Sequence, residues 1–139
     1  MRLHHAGLSV PDLERSLDWY CRAFELSEGH RFHVPSIGLR GVFALDPQGA
    51  GVELLEKSGA LPGVNRADPP SANSVHGFNH VCFEVEELES AYRRALAAGG
   101  TEVWGPRPAP EPGVRMAYLS DLDGNLIELI QRMDEGDRS

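Results

Sequence analysis

Residues 3–10 alternate between apolar and polar positions: Ala6, Leu8 and Val10 share one face, and His5, Gly7 and Ser9 the other. Residues 78–85 repeat the arrangement, with Val81, Phe83 and Val85 opposite His80, Cys82 and Glu84. A period of two predicts a strand with one apolar face. In both stretches the histidine lies on the more polar face. The period then lengthens. Pro11-Asp12 opens a helix with acidic residues in its first turn, and Leu13, Leu17, Tyr20 and Phe24 recur at helical spacing. A second helix is expected over about 86–98, with Leu88, Ala91, Tyr92, Ala95 and Leu96 inward and Gly99-Gly100 as its stop.

Each helix leads through a loop carrying Pro and Gly into two strands joined by a turn. In the first half these are Leu39–Leu45 and residues 52–56, around Asp46-Pro47-Gln48-Gly49. In the second they are residues 114–119 and 126–131, around Asp121-Leu122-Asp123-Gly124-Asn125. A further strand is expected near 28–34 and near 102–104. The fold class is α+β: two tandem βαβββ modules, residues 1–57 and 77–133. Residues 58–76 are rich in Gly, Pro, Ser and Asn without hydrophobic period and read as a linker. Residues 106–112, four prolines in seven positions, read as a stiff extended loop. Residues 134–139 read as a frayed tail.

The two modules are one pattern written twice. Residues 5–54 laid on 80–129, at a constant offset of 75, give twelve identities in fifty pairs, where ordinary residue frequencies give roughly three. Most are turn or core residues. His5/His80 and Glu53/Glu128 are neither. Each Glu sits second in an apolar strand, Val52-Glu53-Leu54-Leu55 and Ile127-Glu128-Leu129-Ile130, where a carboxylate is costly unless it is solvated, paired or bound to a cation. Two halves packed symmetrically would bring two imidazoles and two carboxylates together as a metal site.

Composition narrows the partners. With 139 residues the chain can bury a core without staples. A net charge of -8 argues against nucleic acid or an anionic membrane as partner. Cys21 and Cys82 are too few for a disulfide framework and fit a reducing compartment. The apolar runs are too short to span a bilayer, and the N-terminus enters a strand pattern at once, so the expected address is the cytoplasm.

Two stretches carry a family resemblance. The first is Leu3-His4-His5-Ala6-Gly7-Leu8-Ser9-Val10, followed by Asp12-Leu13-Glu14-Arg15-Ser16 and Trp19-Tyr20. The second is His80-Val81-Cys82-Phe83-Glu84-Val85 with Asp121-Leu122-Asp123-Gly124-Asn125-Leu126-Ile127-Glu128-Leu129. Over about residues 3–131 the chain resembles the vicinal oxygen chelate superfamily of glyoxalases, bleomycin-resistance proteins and extradiol dioxygenases. That resemblance implies modules whose sheets curl around one divalent metal, Ni, Co, Mn, Fe or Zn, held by His5, Glu53, His80 and Glu128. Four ligands look more like bacterial glyoxalase I than like the His-His-Glu set of the dioxygenases.

The implied enzyme is a metal-dependent lyase or isomerase. It would abstract a proton from a chelated small oxygenated substrate through an enediolate, with Glu128 favoured as the base and Glu53 its symmetric alternative. A homodimer is expected. The chain carries Ser9 where bacterial glyoxalase I typically has Arg, and that family's Asn typically falls near Lys57; both help hold glutathione. A methylmalonyl-CoA epimerase-like reaction is the nearest alternative; an extradiol-type dioxygenase and a non-catalytic drug-binding protein are the others.

Further side chains invite a role. Arg40 and Arg115, at matching strand starts, read as ion-paired or as a solvated edge rather than as holders of an anionic substrate group. His4 is expected to face away from His5 in a structural role. His30, His33 and His76 fall in expected loops. Cys82 reads as a small liner rather than a nucleophile, and Trp104 and Tyr118 as aromatic core.

Overall fold

The computed structural model describes residues 1–64, 66–134 and 136. It divides into two compact units, Met1–Gly63 and Val64–Ser139. The first runs β1 (His5–Ser9), α1 (Leu13–Phe24), β2 (Ser27–Val34), β3 (Leu39–Leu45) and β4 (Gly51–Lys57). Its sheet has the order β1-β4-β3-β2, with β1 parallel to β4 and the other pairs antiparallel. The α1 stripe buries Leu13, Leu17, Tyr20 and Ala23, with Trp19 beside them, and α1 packs on β3 and β4, where Val42, Ala44, Val52 and Leu54 are buried. A fully buried side chain of this size contributes roughly 1.5–3 kcal/mol relative to exposure. The helix begins where Asp12 Oδ1 accepts the Arg15 N–H at 3.0 Å and ends at Glu25 in the left-handed conformation, φ 55°.

The second unit runs α2 (Pro69–Asn73), β5 (Val81–Glu84), α3 (Leu88–Ala97), β6 (Thr101–Pro108), β7 (Val114–Ser120) and β8 (Leu126–Arg132). Its sheet order is β5-β8-β7-β6, and α3 buries Leu88, Ala91, Tyr92 and Ala95 over Ala117, Leu119, Ile127 and Leu129. The duplication is geometrical as well as sequential. Strands β7 and β8 are β3 and β4 displaced by 75 positions at both ends. Register follows: Ala6 opposes Val52 and Val81 opposes Ile127; Leu39 opposes Lys57 and Val114 opposes Arg132.

The hairpin turns repeat too. Asp46 Oδ1 accepts the N–H of Gln48 at 2.8 Å and of Ala50 at 3.0 Å, while Asp121 Oδ1 accepts those of Asp123 at 2.9 Å and Asn125 at 2.8 Å. Gly49 and Gly124 take the left-handed position in each, φ 85° and 84°.

Three sequence expectations change. The connection 58–76 contains a helix. Asp68 Oδ1 caps α2 by accepting the Ser71 N–H at 2.8 Å, and Ala72 is buried with Met116, Tyr118 and Leu126. Five residues are too few to display a hydrophobic period, so α2 left no pattern to read. Second, strand β6 continues through Pro106 to Pro108, into the stretch expected to be a loop. Proline is tolerated there because β6 is an edge strand, its pairing broken by register shifts at Trp104 and Arg107. Third, His30 and His33 lie on β2, the further strand expected near 28–34, and not in the loops expected for them. The tail expected over 134–139 falls, apart from Asp134 and Gly136, outside the described residues.

Candidate metal centre

Parallel pairing of β1 with β4 sets Gly7 opposite Glu53 and places His5 two residues upstream on the same face. His5 Nε2 lies 3.3 Å from Glu53 Oε2. In the second unit β5 and β8 set Cys82 opposite Glu128, and His80 Nε2 lies 3.0 Å from Glu128 Oε2. The side chains are half-buried: His5 and His80 are 33% and 30% exposed, Glu53 and Glu128 20% and 16%. The costly carboxylates of the two apolar strands are therefore paired, each with its own histidine. Among the described residues no three His, Cys, Asp or Glu side chains gather as a metal-binding group; the donors come as these two pairs, one in each unit.

The residue preceding each histidine holds the other ring nitrogen. Asn79 Oδ1 lies 2.7 Å from His80 Nδ1, and Asn79 Nδ2 donates to Asn73 Oδ1 at 2.8 Å, tying the imidazole to the end of α2. An amide oxygen can only accept, so Nδ1 carries the proton. In the neutral ring Nε2 then presents a lone pair to the Glu128 carboxylate. Two acceptors 3.0 Å apart repel unless a proton or a cation lies between them. Either would relieve the repulsion, and the Nδ1 contact is of the kind that supports metal-binding histidines. In the first unit His4 Nδ1 lies 2.7 Å from His5 Nδ1, so one ring donates to the other. His4, expected to face away from His5, instead supports it. Asn79 was missed. Its signal was its place, at the same offset of 75 from His4.

An aromatic ring stands edge-on to each histidine. Phe43 lies 5.1 Å from His5 and Tyr118 5.5 Å from His80, centroid to centroid. These two also occupy equivalent positions, opposite Glu53 and Glu128 in register. Tyr118 in turn meets Trp104 at 5.8 Å, with Arg107 over the indole at 5.1 Å. Desolvation, then the Glu128 carboxylate, push the Tyr118 phenol well above its usual range. The same causes push the Cys82 thiol up to about 12 although the residue is open to solvent, which keeps it a thiol and not a nucleophile at neutral pH. Arg40 donates to Glu56 at 2.7 and 3.1 Å and Arg115 pairs with Glu89 at 2.6 Å, as expected.

A family model described as Glyoxalase/Bleomycin resistance protein/Dioxygenase superfamily matches residues 2–129. The chain belongs to this family. A lactoylglutathione lyase of Neisseria meningitidis is 30% identical over 99% of the chain and 95% of its own length. An ethylmalonyl-CoA/methylmalonyl-CoA epimerase of Cereibacter sphaeroides is 30% identical over 94% and 97%. The crystal structure of glyoxalase I from Zea mays superposes with a TM-score of 0.76 at 24% identity, over 96% of this chain and 45% of that one. A glyoxylase/bleomycin resistance protein/dioxygenase domain from Frankia gives 0.75 at 21%, over 95% and 98%. The chain thus spans less than half of the maize protein. The tandem βαβββ fold stands with these structures, and the curated relatives support an enzyme, with its reaction open. Among the described residues no helix is long and apolar enough to cross a membrane.

Proposed function

We propose that this glyoxalase-family chain is a divalent-metal-dependent lyase or isomerase. It would take a proton from carbon beside a carbonyl of a small oxygenated substrate and return it one carbon along. His5, Glu53, His80 and Glu128 would hold the ion. The observation that carries the reading is the His–Glu pair, repeated in each unit at 3.3 and 3.0 Å with the outer ring nitrogen supported in both. When bound, the ion supplies positive charge for two neighbouring substrate oxygens, which offsets the negative charge that grows as the C–H bond breaks. Glu53 and Glu128 are the carboxylates at hand to carry the proton. Four nitrogen and oxygen ligands with open positions suit Ni, Co, Mn or Fe, or Zn in an expanded shell. With one pair in each unit, the reading requires a unit of each kind, from one chain or from two, and a homodimer in the cytoplasm accords with it.

The substrate class follows the relatives that the chain resembles. Those named lactoylglutathione lyase favour a hemithioacetal; the one named ethylmalonyl-CoA/methylmalonyl-CoA epimerase favours an acyl-CoA thioester as the second reading. Both are proton transfers beside a carbonyl. The test is metal analysis of the purified protein, then a screen of hemithioacetals and acyl-CoA thioesters with the bound ion varied. Turnover that depends on the ion and is lost with metal in His5→Ala and Glu128→Gln supports the proposal. Failure to bind any of these ions when they are supplied in excess defeats it. Drug binding without turnover, or oxygen-dependent consumption of a catechol, would assign the family's other activities instead.

A further inference from the structure

The helix α2 lies on the face of the second sheet that carries Glu128. Leu126, Glu128 and Ile130 alternate onto that face of β8. Tyr118 stands opposite Glu128 in register, and Met116 opposite Ile130. Ala72 is buried with Met116, Tyr118 and Leu126, and Trp104 and Ile130 pack against the same cluster. The helix therefore closes apolar surface that flanks the carboxylate, while its end holds His80 through Asn73 and Asn79. What keeps α2 in place is slight. Five residues fall well short of the length at which a helix persists by itself. Asp68 caps it at 2.8 Å to the Ser71 N–H, and the Ser74 hydroxyl donates to the Pro70 carbonyl at 2.9 Å. Both bonds tie the segment to itself and not to the sheet. The helix buries Pro69 and Ala72 alone, whereas α3 buries Leu88, Ala91, Tyr92 and Ala95. Val75 and Phe78, the largest apolar side chains of the segment, are exposed. A helix that exists only while docked, on one methyl group and one proline ring, belongs to the low-cost end of local opening.

We propose that residues 68–79 form a strap that gates the apolar surface beside Glu128 and the orientation of His80 together. Closed, the strap shields Met116, Tyr118 and Leu126 and fixes the imidazole. Open, it lays that surface bare and frees the ring. The coupling follows from the order of contacts. Unwinding α2 withdraws Asn73, Asn79 loses the partner of its amide nitrogen, and His80 Nδ1 loses the fixed acceptor that selects its tautomer. All of these residues belong to the second unit. The strap needs no ion and no proton transfer to operate, so it goes beyond the reaction proposed above and is tested apart from it.

Amide hydrogen exchange on the metal-free, full-length chain reads the opening. The Ala72 N–H donates to the Asp68 carbonyl at 2.9 Å and the Ser74 N–H to that of Ser71 at 3.2 Å. These two amides should exchange together, at least about a hundredfold faster than the paired amides of β7 and β8. Asp68→Ala removes the cap and should raise their exchange about fivefold. In the same variant the nitrogen shifts of His80, read where the ring is neutral, should move towards a mixture of tautomers, and the fluorescence of added anilinonaphthalene sulfonate should rise. Ala72→Asp, which sets a charge against the apolar cluster, should carry both changes further while the β7 and β8 amides stay protected. Exchange of the α2 amides no faster than that of β7 and β8 overturns the strap, because the segment then opens only when its unit unfolds. Faster exchange in Asp68→Ala with unmoved His80 shifts overturns it as well, because opening and ring orientation are then separate. Neither result touches the proposed reaction, and a chain that binds no ion leaves the strap standing.

Discussion

Glu56 Oε2 accepts the backbone N–H of Leu13 at 2.8 Å, so a side chain of the last strand of the first module caps the start of its helix. The second module does the same with an amide: Leu88 N–H donates to Gln131 Oε1 at 3.1 Å, at the same offset of 75. The first N–H groups of a helix lack partners within it, and this cross-strand cap fixes where α1 and α3 dock. Glu56→Ala should destabilise the fold by about 1 kcal/mol in chemical denaturation, the ordinary cost of a lost cap. Glu56→Gln, which copies the second module, should retain much of that.

The same carboxyl makes a pH prediction. The Leu13 N–H first, and then the Arg40 guanidinium, hold the Glu56 carboxyl below its usual range. An acid depressed in the folded state contributes stability that is present above its ordinary value near 4.5 and is lost as pH falls through the lower folded value. Denaturation midpoints measured from pH 6 to pH 3 should therefore fall less steeply in Glu56→Gln than in the wild type. Equal slopes would assign the acid sensitivity to other groups.

Gly51 tests the hairpin geometry. A Cβ at this position would lie 2.1 Å from the backbone oxygen of Ala44, and a paired backbone cannot step aside. Gly51→Ala should cost upwards of about 2 kcal/mol, read as a lowered urea midpoint with unchanged slope.

Asn79 should matter to ion binding more than to folding. It is partly exposed and fixes the ring of His80 through Nδ1. Asn79→Ala should weaken Co(II) or Ni(II) binding by about 10- to 100-fold while leaving thermal unfolding of the metal-free chain within about 0.5 kcal/mol. The nitrogen shifts of His80 should lose the single tautomer that the amide enforces. A variant with wild-type ion affinity would reduce Asn79 to a loop residue.

Ion binding should also register as stability. An ion that binds the folded chain alone, supplied at about one hundred times its Kd, raises unfolding free energy by about 2.7 kcal/mol. A thermal scan with and without Ni(II) measures this, and a chelator should reverse it.

Much of this was legible in the sequence because duplication writes the same physical requirement twice. A single Glu in an apolar strand reads equally as solvated or as paired; Glu53 and Glu128 at one offset, each 48 residues from a histidine, point to a partner, and each lies beside its histidine. The strands and helices followed from periods long enough to see. What escaped notice lacked a period. The helix Pro69–Asn73 is shorter than two turns, and the strand through Pro106 is permitted by its place at the sheet edge, which is a tertiary fact. His4 lies just outside β1, so strand alternation does not set its side. The differences between halves at 7/82 and 43/118 lay in view, but their meaning depends on cross-strand register, which fixes the carboxylate each residue faces.

The short helix between the modules has a practical bearing on engineering. By burying Ala72 against the second sheet and reaching His80 through Asn73 and Asn79, it makes this part of the connecting segment an element of the second unit. A chimera that replaces this segment with a flexible spacer of equal length would uncover Met116, Tyr118 and Leu126 and unmoor one imidazole, so module-swapping in this chain must carry residues 68–79 along with the C-terminal half.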